Sequence, residues 1–209
     1  MQHDITKLCA NSLRATTLEK YGVKLKPTHA HELGAAFFGY PSKNAMLADT
    51  KYPISNLHQA KIVVMAPDDF IDQRRTDLEG LSPELPDSYS LGEGVYAALF
   101  ANVQWASAFP PFRSFLSLVK FMAEDRGLIE SGNLYNIPRH HILDIKNLED
   151  SVLLTIKHAY KADDGNMHVD KITTVELPRV AGRIGFGLAR ISEERRTGGA
   201  REVLVPINA

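Results

Sequence analysis

SVLLTIKH, residues 151–158, shows the change of period that the chain makes from His140 onward. Val152, Leu154, Ile156 and His158 alternate with Leu153, Thr155 and Lys157. A spacing of two sends the two sets to opposite faces of an extended strand. The alternation continues downstream, where residues 169–177 and 184–191 read as further strands. Asp163-Asp164-Gly165-Asn166 is a strong turn signal between the first two, 195–199 is a second turn candidate, and 202–207 reads as a last strand. The expectation is an antiparallel β-meander over 140–207, with one face buried.

Upstream of the double histidine His140-His141 the apolar residues recur every three or four positions. Ile5, Leu8, Cys9, Leu13 and Leu18 describe a helix over 5–20, with Asp4 as its cap and Gly22 as its end. Thr28 is expected to cap a second helix, with Pro27 just outside, Glu32 in the first turn and a stop at Gly39. Ser42 caps a short third helix over 43–48. Residues 57–65 admit two readings. Ile62, Val63 and Val64 fit a buried strand, whereas Ser55 as a cap with Leu57, Ala60, Val63 and Val64 on one face fits a helix, and the helical reading is preferred. A helix over 67–79 follows, with Phe70, Ile71, Arg74 and Leu78 on its face and Gly80 at its end. Residues 81–111 read as an irregular loop, because Pro83, Pro86, Gly92, Gly94, Pro110 and Pro111 interrupt it. Residues 112–124 return to helical spacing through Phe112, Phe115, Leu116, Val119 and Met122. The fold class is therefore α+β, a helical N-terminal half packed with a C-terminal antiparallel β-meander. A three-helix module over 1–51 and an α+β domain over 52–209, with helices to about 130, are the expected divisions.

The 209 residues are 44% apolar and 23% charged, ordinary values for a chain with a sizeable core. A single cysteine, Cys9, excludes an internal disulfide and a multi-cysteine zinc site, and suits a reducing compartment. MQHDITKLCANSL at the start lacks a basic region followed by an apolar run, so no secretory signal is expected. The longest apolar runs are too short to span a bilayer, and a cytoplasmic location is expected. A net charge of −1 argues against a wholly basic nucleic-acid binder. Residues 1–51 hold 7 Lys/Arg and 4 Asp/Glu, a net of +3, whereas 52–138 hold 6 and 11, a net of −5. Any phosphate contact would then fall to the head.

Residues 28–49, THAHELGAAFFGYPSKNAMLAD, have helix-turn-helix-like spacing. Ala35 is the small residue at a helix crossing, Gly39 makes the turn and Ala45 packs the second helix back. Lys43 and Asn44 would lie at the exposed start of that helix, with Lys24 and Lys26 available to phosphate. The same residues also suit a tri-helical packing unit that touches no nucleic acid.

Residues 8–48 resemble the small helical module that precedes glyoxalase-like domains in some bacterial proteins, on Leu13, His29, Glu32, Leu33, Gly39, Tyr40, Ser42 and Leu47. The rest of the chain is similar to uncharacterised accessory proteins of bacterial plasmids and integrative conjugative elements. That resemblance rests on FIDQRRTDLEGLSPELPDSYSLGEGVY at 70–96 and PPFRSF at 110–115. It implies mobile DNA as a setting and supplies no activity. No glyoxalase-like metal pattern accompanies it.

The remaining chemistry is sparse. The eight histidines offer no third ligand to His29 and Glu32, so no metal and no cofactor is expected. Cys9 sits on the apolar side of its helix as a structural thiol. Gly182, Gly185 and Gly187 lie in a strand pattern without a following helix, which suits bulges or close packing rather than phosphate. No catalytic residue is assigned. Tyr89, Tyr96, Trp105, Phe109 and Arg113 have the composition of a contact surface, although the aromatics could instead close the core. The first reading is a non-enzymatic accessory protein that binds DNA or a protein partner. The alternative is an enzyme with a cleft between the helical half and the sheet, for which His140, His141, Arg113 and Glu93 would be candidates.

Overall fold

Asp4 sets the start of the first helix, α1 (Ile5–Tyr21). Its carboxylate accepts from the backbone N–H groups of Thr6 at 3.0 Å and Lys7 at 3.3 Å, satisfying two donors that a helix start leaves free. Gly22, at φ +69°, closes the other end in the left-handed region. The computed structural model describes residues 4–103, 109–124, 128, 143–161, 167–195 and 200–201. Within them the N-terminal half is helical and the C-terminal half is an antiparallel sheet, the α+β class read from the sequence.

The chain divides into two compact units, Met1–Ser114 with Val180–Gly185, and Phe115–Arg179 with Phe186–Ala209. The boundary expected after residue 51 is not where the chain divides. The first helices share one core with residues far beyond that point, including Leu91, Val95, Leu99, Ala181 and Ile184.

In the first unit, α1 buries Cys9, Ala10, Leu13 and Thr17. Helix α2 (Pro27–Phe37) starts two residues earlier than expected. Pro27 occupies its first turn, where a missing N–H costs nothing, and Lys26 precedes it without a side-chain cap, so Thr28 is not the cap. Gly39 turns the chain at φ +81°, and Ser42 caps α3 (Lys43–Ala48) by accepting from Ala45 N at 3.1 Å. Met46 is the buried residue of α3, and the partly buried Ala45 packs against the core as expected. The stretch read as a helix over 57–65 is instead a 3-10 helix (Ile54–Gln59) followed by a short strand, β1 (Ile62–Val63). The β-branched run decides this: Val63 and Val64 are 1% exposed, and their backbone is paired on both sides. Phe112 N donates to Val63 O at 2.8 Å, and Val64 N to Ile184 O at 2.9 Å.

Helix α4 (Asp68–Asp77) has two acids in its first turn and two arginines in its last, the arrangement that complements the helix dipole. The region read as an irregular loop contains instead a sixteen-residue helix, α5 (Ser88–Val103). Its glycines mark close approaches rather than breaks. A Cβ at Gly94 would lie 2.8 Å from Leu13 Cα and 3.0 Å from Ser12 O, so only glycine lets α1 and α5 pack this tightly. Leu91, Val95, Ala98 and Leu99 form the buried stripe of α5.

Val180–Gly185 completes this unit. Gly182 N donates to Tyr52 O at 2.6 Å, and the Arg183 guanidinium lies 5.6 Å from the centre of the Tyr40 ring. The Tyr40 hydroxyl in turn donates to Asp49 at 2.6 Å. The glycine pattern here is close packing, as expected: a Cβ at Gly185 would meet Ala181 O and Leu57 Cδ1, both at 2.8 Å.

The second unit contains α6 (Phe115–Glu124) and strands β2 (Leu143–Asn147), β3 (Ser151–Lys161), β4 (Met167–Ala181, whose last two residues belong to the first unit), β6 (Arg190–Arg195) and β7 (Ala200–Arg201). A two-residue strand, β5 (Gly185–Phe186), lies between β4 and β6. The β2–β3, β3–β4, β4–β6 and β6–β7 pairs are all antiparallel. Register places Val152 opposite Leu177, Leu154 opposite Val175 and Ile156 opposite Thr173, and all six side chains are fully buried. The alternation that opened the reading is therefore the core face of β3. The strand expected over 184–191 is interrupted at 187–189, so β5 and β6 replace it. The turn at 163–166, residues 196–199 of the second turn candidate, and the strand expected at 202–207 lie outside the described residues.

Candidate interaction surface

One face of α5 carries Tyr89, Gly92, Tyr96 and Phe100, spaced three, four and four residues apart and so aligned along the helix. Tyr89 is 59% exposed and Phe100 42%, while Tyr96 is half-buried. The Tyr96 and Phe100 rings stack with centroids 6.2 Å apart. Arg113 lies across the gap at Gly92. Its guanidinium is 4.7 Å from the Tyr89 ring centre and 5.2 Å from that of Tyr96, and its Nη1 donates to Tyr89 O at 3.2 Å. A Cβ at Gly92 would stand 2.6 Å from Arg113 Nη1. The glycine thus leaves the notch that lets a planar cation lie against the helix between two rings. No carboxylate comes within 4.0 Å of Arg113 among the described residues, so rings and a backbone carbonyl hold it.

Carboxylates surround this face at longer range. Burial raises the Asp68 carboxyl above its ordinary value, and the negative charges of Asp72, Asp87 and Asp69 push the same way against the pull of Arg113. The hydrogen bond from Lys20, 2.7 Å long, holds Glu93 below its ordinary value, and Arg113 adds to that effect. Asp87 caps the first turn of α5, accepting from Ser90 N at 2.7 Å. Of the nearby arginines, Arg75 pairs with one of these carboxylates, Asp72, at 3.8 Å. Arg74 pairs with Glu32 at 2.7 Å, and Arg75 donates to Ser88 Oγ at 3.2 Å and Leu85 O at 3.3 Å.

Three of the five residues expected to form a contact surface therefore meet. Tyr89, Tyr96 and Arg113 are together on an ordered helix, Phe109 is 5% exposed and belongs to the core, and Trp105 lies outside the described residues. Phe100 was missed. It sits four residues after Tyr96, a spacing that identifies it once the segment is read as a helix.

The residues weighed for DNA are not gathered in the same way. Lys24 and Lys26 are exposed between α1 and α2, and Asn44 is exposed on α3. Lys43 is half-buried, and its backbone N–H donates to Glu32 Oε2 at 3.1 Å. Helix α3 has six residues and a single buried anchor. His31 is held below its ordinary value by burial, and the positive charges of Lys43 and Arg14 act in the same direction. Among the candidates for an enzymatic site, His140 and His141 lie outside the described residues. Among the described residues no three His, Cys, Asp or Glu side chains converge as a metal site requires. Cys9 is buried at 0% exposure, and burial, with Asp4 adding to it, pushes its thiol up to about 12. No helix among the described residues is long and apolar enough to cross a membrane.

No protein-family model matches the chain, and neither a curated protein nor a solved structure matches it significantly.

Proposed function

We propose that this chain acts by binding, and that it engages a protein partner through the face of α5 built by Tyr89, Tyr96, Phe100 and Arg113. The observation that carries the reading is the seating of Arg113 between two tyrosine rings in the notch at Gly92, beside the exposed rings of Tyr89 and Phe100. Tyrosine and arginine dominate the energetics of protein interfaces, because both present large, stiff contact area with a polar edge. Rings already held in place lose little freedom on docking, which favours affinity. Between the two partner classes the charge favours protein. Residues 68–93 hold eight Asp/Glu and two Lys/Arg, a net of −6, and such a field repels a phosphate backbone. The setting in bacterial mobile DNA rests on the resemblance of 70–96 and 110–115, the segments that contribute Tyr89, Tyr96 and Arg113.

Site-directed photo-crosslinking tests the reading. A crosslinking residue at position 100 should trap a discrete protein adduct in an extract of the source cells. The same residue at Leu47 or Leu188, exposed apolar positions elsewhere, should not. The adduct should also vanish in a Tyr89→Asp background. Equal trapping at all three positions, or an adduct indifferent to Tyr89→Asp, overturns the proposal. A retarded band with random duplex DNA at about 50 mM salt, lost on replacing Lys24, Lys26 and Lys43, would assign the function to the head of the chain instead.

A further inference from the structure

The geometry points to a basic occupant for this face: a partner segment that carries lysine or arginine side chains. The inference rests on the docking reading above and adds the chemistry of what docks. Two independent features of the surface select a cation. The first is the pair of exposed rings. Tyr89 and Phe100 stand eleven residues apart on one helix, about 16 Å along the axis at 1.5 Å per residue. An extended segment of about five residues spans that length. Arg113 already covers the faces of Tyr89 and Tyr96 that look onto the notch, which shows that the rings accept a guanidinium in this setting. The 59% exposure of Tyr89 leaves ring surface for a second cation.

The second feature is the carboxylate rim. Asp68 and Asp69 are exposed in the first turn of α4, Asp87 is exposed at the start of α5, and Glu93 is half-exposed nearly two turns on. Eight Asp/Glu against two Lys/Arg over 68–93 leave the rim in negative excess, although Lys20 pairs with Glu93 at 2.7 Å. Arg74 pairs with Glu32, and Arg75 is shared among Ser88, Leu85 and Asp72. The Lys20–Glu93 pair is open to water on both sides, so an incoming ammonium exchanges with it readily. Burial raises Asp68 despite the pull of Arg113, and the like charges of Asp72, Asp87 and Asp69 add to it. The net charge of −6 over residues 68–93 would repel an acidic or phosphorylated segment.

Fluorescence anisotropy of the full chain with three labelled peptides tests the inference. The peptides alternate leucine with lysine, with glutamate or with serine. The lysine peptide should bind at least about tenfold more tightly than the other two, and its affinity should fall as salt screens the rim. Asp87→Asn combined with Glu93→Gln should weaken it by about tenfold while leaving the melting temperature unchanged, because asparagine still caps the helix. Tyr89→Ala combined with Phe100→Ala should weaken all binding. No binding of the lysine peptide, or equal or tighter binding of the glutamate peptide, overturns the basic occupant. If the glutamate peptide wins and Tyr89→Ala with Phe100→Ala abolishes its binding, the docking face stands with the opposite charge preference. Lysine-peptide binding indifferent to the ring substitutions is diffuse attraction to acid, and it overturns both the occupant and the face.

Discussion

Gly92→Ala offers the sharpest probe of the Arg113 seat. In an ordinary helix interior this change stabilises by about 1 kcal/mol, because alanine loses less backbone freedom than glycine. Here the new methyl would stand 2.6 Å from Arg113 Nη1 and 3.0 Å from Phe37 Cε1. The first neighbour is the end of a flexible side chain, so the guanidinium swings out and the helix survives. Its departure removes two ring contacts, each worth about 0.5–1 kcal/mol near a surface, and a charged hydrogen bond worth about 1 kcal/mol after discounting for its exposure. The loss is about 2–3 kcal/mol against a gain of about 1, so Gly92→Ala should destabilise by about 1–2 kcal/mol. In an Arg113→Ala background only the Phe37 contact opposes the methyl, and the same change should be neutral or slightly stabilising. Urea titrations of the four proteins, followed by circular dichroism, close the double-mutant cycle, with an expected coupling of about 2 kcal/mol. A coupling below about 0.5 kcal/mol would show that Arg113 does not occupy the notch, and the ordered surface would have no basis.

Gly94→Ala should behave differently, because its methyl would meet the α1 backbone at Leu13 Cα, 2.8 Å away, rather than a side chain that can move. A loss of about 1–3 kcal/mol, with no rescue by Arg113→Ala, is expected in the same titrations. Asp49 is depressed below its ordinary value of 3.8: burial opposes its charge, but the hydrogen bonds from the Tyr40 hydroxyl and the Tyr52 and Lys51 backbone outweigh it. Its contribution is therefore fully present above the unfolded value and is lost as pH falls through the folded one. The stability gap between the native chain and Asp49→Asn should be flat from neutrality down to about pH 4 and close below it, as measured by thermal melts across pH. The Cys9 thiol, at about 12, should resist a disulfide reagent at about pH 8 in the folded chain and react once urea exposes it, which absorbance will report.

The strand face at 152–156 was legible because each of its positions has one of two environments and the residue types alternate with them. Helix α1 was legible through Asp4 and Gly22, whose side chain and backbone act locally. Helix α5 was hidden by Gly92 and Gly94, which weaken helical propensity yet are required by partners distant in sequence, Arg113 in one case and the α1 backbone in the other. The Leu91, Val95, Ala98 and Leu99 stripe, with Pro86 and Asp87 just before the start, was the signal that could have revealed it. The candidate surface was half legible for the same reason. Residue type suggested Tyr89, Tyr96 and Arg113, but recognising Phe100 required the helix, and removing Phe109 required the knowledge that it is buried.

The short excursion of Val180–Gly185 into the first unit constrains the order in which the protein can be made. When a ribosome has released the first 114 residues, Val64 still lacks the carbonyl of Ile184, and Tyr52 lacks the amide of Gly182. The pocket for Ala181 and Ile184 stays unfilled until the hairpin strands have been synthesised. The first unit therefore waits on its own residues 180–185, which are made only after residues 115–179. That delay adds long-range closure to its folding and leaves apolar side chains such as Leu57 and Ile54 open to chaperones or aggregation in the interval.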